Sequence, residues 1–323
     1  MQTDNILEVR DLNKHFLMKK ALRKENQVFV KAVNNVSFDV KRGQTLGVVG
    51  ESGCGKSTLG KTILRLWEPT SGSIVFNGKN IMEYSGDQIR TLRKDMQYIF
   101  QDPYSSMNPK MTVRDIIMEP LDNFRRELST KEKEDIVISL LDIVGLSINE
   151  MNRYPHEFSG GQRQRIVIAR GIALNPEFLV CDESVSALDV SVQAQIINLL
   201  VELKNRLNLT YMFISHDLRV VKFISDRIMV LYLGEVMEIA DADELFKNPR
   251  HPYTKSLIGS ISKGNPRVKN PRVILEGEIP NAMNAPIGCP FSTRCPIATE
   301  KCLTQKPLLR EVDTNHTASC FYA

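Results

Sequence analysis

No apolar run in this chain of 323 residues approaches the roughly 18 needed to cross a bilayer. The opening stretch, MQTDNILEVRDL, also lacks the basic-then-apolar layout of a secretory leader, so the chain is expected to stay soluble in the cytosol. Blocks of one charge are missing too. The 42 basic and 38 acidic residues leave +4 and are interspersed, which argues against nucleic acid as a partner. Cysteine is scarce over most of the sequence: Cys54 and Cys181 stand alone, while Cys289, Cys295, Cys302 and Cys320 crowd into the last 35 residues. In a reducing compartment such crowding points to a metal site rather than disulfides. What remains is 42% apolar and 25% charged, ordinary globular material for one large α/β domain and a small appendage, with no internal repeat.

Residues 6 to 50 alternate apolar and polar positions (Val28, Val30, Ala32; Val36, Phe38, Val40) and then give the continuous apolar run QTLGVVG. Half-buried strands are thus expected to lead into a fully buried one. A helical pattern follows GESGCGKST, and GSIVFNGKN reads as a strand closing on a turn at Asn77 and Gly78. From about residue 90 to 165 the helical period dominates, with apolar faces at Ile116 to Leu121 and Ile136 to Val144. Buried strands return as FLVCDE, YMFISHD and RIMVLYLGEVMEIA, separated by helical patterns, an alternation that implies a parallel sheet. Past Asp241 come a short helix, the Pro-interrupted basic stretch SKGNPRVKNPR and the cysteine-rich end.

Gly50-Glu-Ser-Gly-Cys-Gly-Lys56-Ser57 fits G-x-x-x-x-G-K-[ST] between a buried strand and a helix, the context a phosphate-binding loop needs. Gly53 and Gly55 let backbone N–H groups turn toward phosphates, and the helix start adds its positive end. Lys56 neutralises β and γ charge, Ser57 is placed to ligate Mg²⁺, and Thr58 to position the α-phosphate. Downstream, a buried strand delivers Asp182 and Glu183 to its C-terminal edge, where ligands gather in open α/β sheets. Asp182 suits Mg²⁺, and Glu183, on the other side of the strand, suits polarising an attacking water.

Phe158-Ser159-Gly160-Gly161-Gln162-Arg163 resembles the signature of ABC ATPases, with Phe where the family usually has Leu. Ser159 reads as the cap of a helix beginning near Gln162, and bare Gly160 and Gly161 let N–H groups approach an anion. Two phosphate clamps in one chain match the family's head-to-tail dimer, in which each signature closes over the partner's ATP. The resemblance implies roles for further residues. Gln101 in YIFQDP resembles the loop glutamine that touches Mg²⁺ and the attacking water, and Asp189 in SALD the loop that crosses the dimer interface. His216 in FISHD resembles the switch histidine at the γ-phosphate, and Phe16 in LNKHF the aromatic that stacks on adenine. Ser184 stands where the family commonly has proline.

GESGCGKST, QDPYSSMNPKMTV, YPHEFSGGQRQRI, ALDVSVQAQIINLL and NPRHPYTKSL together resemble the ATPase subunits of oligopeptide and dipeptide permeases, F-type in particular. The fold implied is a P-loop NTPase of ABC type: a RecA-like parallel core with an antiparallel β subdomain and a helical subdomain at about 90–165, all within 1–245. Residues 246–323 are expected to form the family's C-terminal extension with a small Cys-rich module. Implied partners are a paralogous ATPase, two transmembrane permease subunits and an extracytoplasmic peptide-binding protein, with the chain peripheral on the cytoplasmic face of the membrane. Nickel or another small solute is the alternative cargo, and a soluble non-transport ABC protein the rival class. The tail spacing, C-P-x4-C-P-x5-C-x17-C, has no C-x-x-C knuckle, which favours a [4Fe-4S] cluster on Cys289, Cys295, Cys302 and Cys320. Zinc, with His316 replacing one thiolate, and unligated packed thiols stay open.

Overall fold

The computed structural model describes residues 4–19, 28–186, 188–261, 280 and 285–323. They form two compact units, one of Met1–Lys41, Thr45–Glu83 and His216–Ala323, the other of Arg42–Gln44 and Tyr84–Ser215. The basic stretch 262–272 lies outside the described residues.

The first unit begins with β1 (Asn5–Lys19), β2 (Val28–Lys41), β3 (Thr45–Val49), α1 (Lys56–Ile63), β4 (Ser71–Phe76) and β5 (Lys79–Asn80). Antiparallel pairing gives an order β2-β1-β4-β5. Its alternation follows the pleat: Val36, Phe38 and Val40 are buried while their neighbours are not. The β4–β5 turn runs through Asn77 and Gly78 at positive φ (49° and 73°), as Asn-Gly turns require.

The second unit holds α2 (Gly86–Leu92), β6 (Met96–Ile99), α3 (Val113–Phe124), α4 (Thr130–Ile143), α5 (Gly160–Ile172), β7 (Phe178–Asp182), α6 (Val190–Leu207) and β8 (Thr210–Ile214). β6, β7 and β8 pair in parallel, and every residue of β7 and β8 is buried. Helices α3, α4 and α5 each start at a reciprocal cap, Thr112 with Asp115, Ser129 with Glu132 and Ser159 with Gln162. The expected helical stretch is interrupted by β6. Four residues are too few to display a period, and what makes them a strand is the parallel partner β7.

The chain returns to the first unit with α7 (Leu218–Ile224), β9 (Arg227–Tyr232), β10 (Glu235–Asp241), α8 (Ala242–Lys247), α9 (Pro252–Gly259), α10 (Glu300–Thr304), β11 (Arg310–Asp313) and β12 (His316–Ala318). β3 pairs in parallel with β9; β9 with β10, β10 with β12 and β12 with β11 are antiparallel. RIMVLYLGEVMEIA is therefore two strands and not one. The reversal sits at Leu233 and Gly234, both at positive φ, and a leucine there gives no turn signal in sequence.

A separate Cys-rich module is not what the tail forms. β12 extends the sheet edge at β10, so residues near the C-terminus share the first unit's core. Glu238, fully buried on β10, accepts hydrogen bonds from the backbone N–H groups of Arg250 (2.6 Å) and His251 (2.9 Å) and lies 2.6 Å from Nε2 of His316. A buried carboxylate with three such partners fastens three segments together. Among the described residues no helix is long and apolar enough to cross a membrane.

Candidate active site

In the first unit, fully buried β3 delivers the chain into the phosphate-binding loop. α1 starts at Lys56 behind Gly55, which is left-handed at φ 103°. A Cβ on Gly55 would stand 2.0 Å from the Ala32 carbonyl oxygen, so only glycine fits. The β9–β10 turn braces the loop, Gly234 N–H donating to the Cys54 carbonyl at 2.8 Å. Lys56 is buried, and its Nζ donates to the carbonyls of Gly50 (2.8 Å) and Glu51 (3.1 Å). Gly53 is exposed, and Ser57 and Thr58 follow, half-buried, in the first turn of α1, whose leading N–H groups lack intrahelical acceptors. Burial pushes the thiols of Cys54 and Cys181 above their ordinary values, so both remain protonated fillers.

In the second unit, β7 ends at Asp182, nearly inaccessible at 3%. Tyr98 on neighbouring β6 donates to Asp182 Oδ2 at 2.7 Å. Burial, then the Asp182 charge, hold the Tyr98 phenol above its ordinary value, which keeps it a donor. Glu183 leaves the strand at φ 46°, a left-handed conformation costing roughly 1–3 kcal/mol for a non-glycine residue. It is held there by its N–H to the Ile214 carbonyl (2.9 Å) and by its own carbonyl, which accepts from Ser186 N–H (3.1 Å) and Oγ (2.9 Å). Gln101 Nε2 donates to Glu183 Oε2 at 2.8 Å. Gln101, Asp182 and Glu183 thus meet at one strand end. Tyr98 was not singled out in the sequence, because the partner that gives it a role lies 84 positions away.

Ser159 caps α5, which starts at Gly160, two residues earlier than the sequence indicated. Its Oγ accepts from Gln162 N–H (3.3 Å), and Gln162 Oε1 accepts from Ser159 N–H (3.0 Å). Ser159 and Gly160 are exposed, while Gly161 is buried where a Cβ would meet Val192 Cγ1 of α6 at 2.4 Å. Gly161 is therefore also a helix-packing residue. Asp189, exposed, is the N-cap of α6. Half-buried Phe16 sits edge-on to Trp67 with centroids 5.2 Å apart, and His216 is exposed just past β8, in the first unit.

A family model described as ABC transporter matches residues 33–186, and one described as Oligopeptide/dipeptide transporter, C-terminal region, matches residues 237–302. Over 98% of this chain and 97% of the relative, the sequence is 50% identical to the oligopeptide transport ATP-binding protein AppF of Bacillus subtilis (strain 168). The chain belongs to the ABC transporter family. It is also 46% identical to the dipeptide transport ATP-binding protein DppF of Haemophilus influenzae over 98% of this chain and 96% of that protein. Among solved structures, the ATP-binding cassette MJ0796, in a dimeric post-hydrolysis state bound to ADP and Pi, superposes with a TM-score of 0.65 at 28% identity, covering 73% of this chain and 98% of that one. cbiO1 from Clostridium perfringens gives 0.66 at 28%, covering 76% and 92%.

The tail of this ABC transporter subunit corrects the metal expectation. Among the described residues no group of three or more His, Cys, Asp or Glu is arranged to hold a metal ion, so neither the [4Fe-4S] cluster nor the zinc alternative is supported. Burial raises the Cys289 thiol to about 11, reinforced by Cys295, Cys302 and Cys320, and raises Cys295 and Cys320 as well. His316 is committed to Glu238.

Proposed function

We propose that this chain binds and hydrolyses ATP to drive import of oligopeptides or dipeptides, working from the cytoplasmic face of the membrane beneath two permease subunits. Its ATP would lie between the Gly50–Ser57 loop and the Ser159 turn of a paralogous ATPase, and an extracytoplasmic binding protein would select the peptide. The cargo reading is supported by the similarity to oligopeptide and dipeptide transport ATP-binding proteins and by the match over residues 237–302.

The hydrolytic reading is carried by one observation, the hydrogen bond of Gln101 to a Glu183 carboxylate that the backbone holds in an uncommon conformation. Glu183 is the base toward the attacking water, Gln101 orients it, and His216 contacts the γ-phosphate. Lys56 and the N–H groups of Gly53, Gly55 and the start of α1 hold phosphate; Ser159, Gly160, Gly161 and Gln162 offer the second clamp, Asp189 lies at the interface, and Phe16 stacks on adenine. Hard oxygen donors suit Mg²⁺, and Asp182, buried at a strand end, with Ser57 and Gln101 supplies them. A metal held by these residues would supply positive charge against the triphosphate.

Glu183→Gln tests this reading: ATP binding and pairing with the sister ATPase are expected to persist while turnover falls by about 10²–10⁴-fold. Undiminished hydrolysis would remove Glu183 from its role. In reconstituted transporter, stimulation of ATPase by binding protein loaded with nickel and not with peptide would overturn the cargo.

A further inference from the structure

Glu51 is an awkward residue for its position. It directly follows the first glycine of the phosphate-binding loop, where a free carboxylate repels the triphosphate the loop is built to attract. The answer comes from the C-terminal segment. Arg294 Nη1 donates to Glu51 Oε2 at 2.8 Å and Nη2 to Oε1 at 3.1 Å, a two-pronged pair. The Arg294 side chain is only 8% exposed and that of Glu51 21%, so solvent screens the pair weakly. Glu51 in turn holds the guanidinium pKa above its ordinary value.

The same loop residue is gripped a second time. Glu51 N–H donates to the Tyr253 hydroxyl at 2.9 Å, and Arg294 Nη1 also reaches the Tyr232 hydroxyl at 3.3 Å. Tyr232, Tyr253 and Phe291 are fully buried and pack on one another with ring centroids 4.7–5.4 Å apart. The two hydroxyls are therefore mounted on a rigid aromatic block to which β9, α9 and the tail each contribute. What this block fixes also matters to Lys56, whose Nζ rests on the carbonyls of Gly50 and Glu51. Displacing Glu51 displaces the support of the phosphate-neutralising lysine.

We propose that Arg294 is a positioning residue of the nucleotide site: the C-terminal segment neutralises and anchors Glu51, and so sets the affinity of the phosphate-binding loop for ATP. The proposal rests on the ATPase reading. A guanidinium is needed because only its planar fork meets both carboxylate oxygens at once; an ammonium supplies charge without registration.

Titrating a fluorescent ATP analogue with Mg²⁺ into the full-length chain tests it, alongside thermal melts. R294A is expected to bind about tenfold more weakly than wild type, and R294K, keeping the charge and losing the fork, about threefold more weakly. E51Q added to R294A is expected to restore affinity to within about threefold of wild type, because the stranded carboxylate is gone. An arginine that only supports the fold would not be rescued this way. Wild-type affinity in R294A, or equal losses in R294A and the double variant, would overturn the proposal alone; if R294A does not fold, R294K with and without E51Q decides the question. Wild-type chain that binds no nucleotide would overturn the ATPase reading itself.

Discussion

The Tyr98 hydroxyl and Asp182 Oδ2 are joined by a 2.7 Å hydrogen bond between neighbouring parallel strands, in a place where water barely reaches the carboxylate. Tyr98→Phe keeps the ring and deletes the donor, leaving a buried acceptor one partner short. Such a loss costs about 1–3 kcal/mol, read as a lower urea midpoint with unchanged slope. An unchanged midpoint would mean that Asp182 draws nothing from the tyrosine.

One amide hydrogen bond, from Gln101 Nε2, reaches the Glu183 carboxylate. Gln101→Ala is expected to lower kcat for ATP about 10- to 100-fold, since under the proposed function the amide places the base. Gln101→Glu sets a second carboxylate beside Glu183, so the acid limb of the pH–rate profile should move upward. Wild-type kcat in the alanine variant would sink the orienting role.

Gly161 abuts Val192, a stiff β-branched side chain with no free end to swing aside. Gly161→Ala is expected to destabilise the second unit by about 1–3 kcal/mol, and Val192→Ala in the same chain to recover most of it. Calorimetry on the three variants checks this; equal melting of Gly161→Ala and wild type would contradict the close packing.

Burial, with help from Lys255, drops His251 from 6.5 to about 3. The folded chain thus refuses a proton that the unfolded chain accepts, so stability is intact above about pH 6.5 and falls as pH drops toward 3. At pH 5 the loss from this residue is about 2 kcal/mol. His251 Nδ1 accepts from Tyr253 N–H, so His251→Asn keeps an acceptor for the start of α9 while removing the titration. Denaturation midpoints at pH 7 and pH 5 should lie closer together in the variant; an unchanged gap would place the acid sensitivity elsewhere.

The parts legible in sequence were those whose chemistry is local. The glycine-rich loop, the Asn77-Gly78 turn and the Ser159 cap each declare themselves within a few residues, because backbone conformation and capping are decided there. β6 was missed because only its pairing with β7 makes it a strand, and Tyr98 because its partner is 84 positions away. The cysteine spacing alone does not support the cluster, because proximity along the chain does not by itself set how thiols are arranged in space. The Glu51 pairing spans 243 positions and has no local signature at all.

β10 acquires its outer neighbour only from residues 316–318. During synthesis residues 316–318 must therefore emerge before this edge is closed, and until then β10 presents unpaired peptide groups together with a Glu238 carboxylate still waiting for its imidazole. A message cut short ahead of β12 would yield a product whose ATP-binding motifs are all present in sequence and whose sheet stays open to association with other chains.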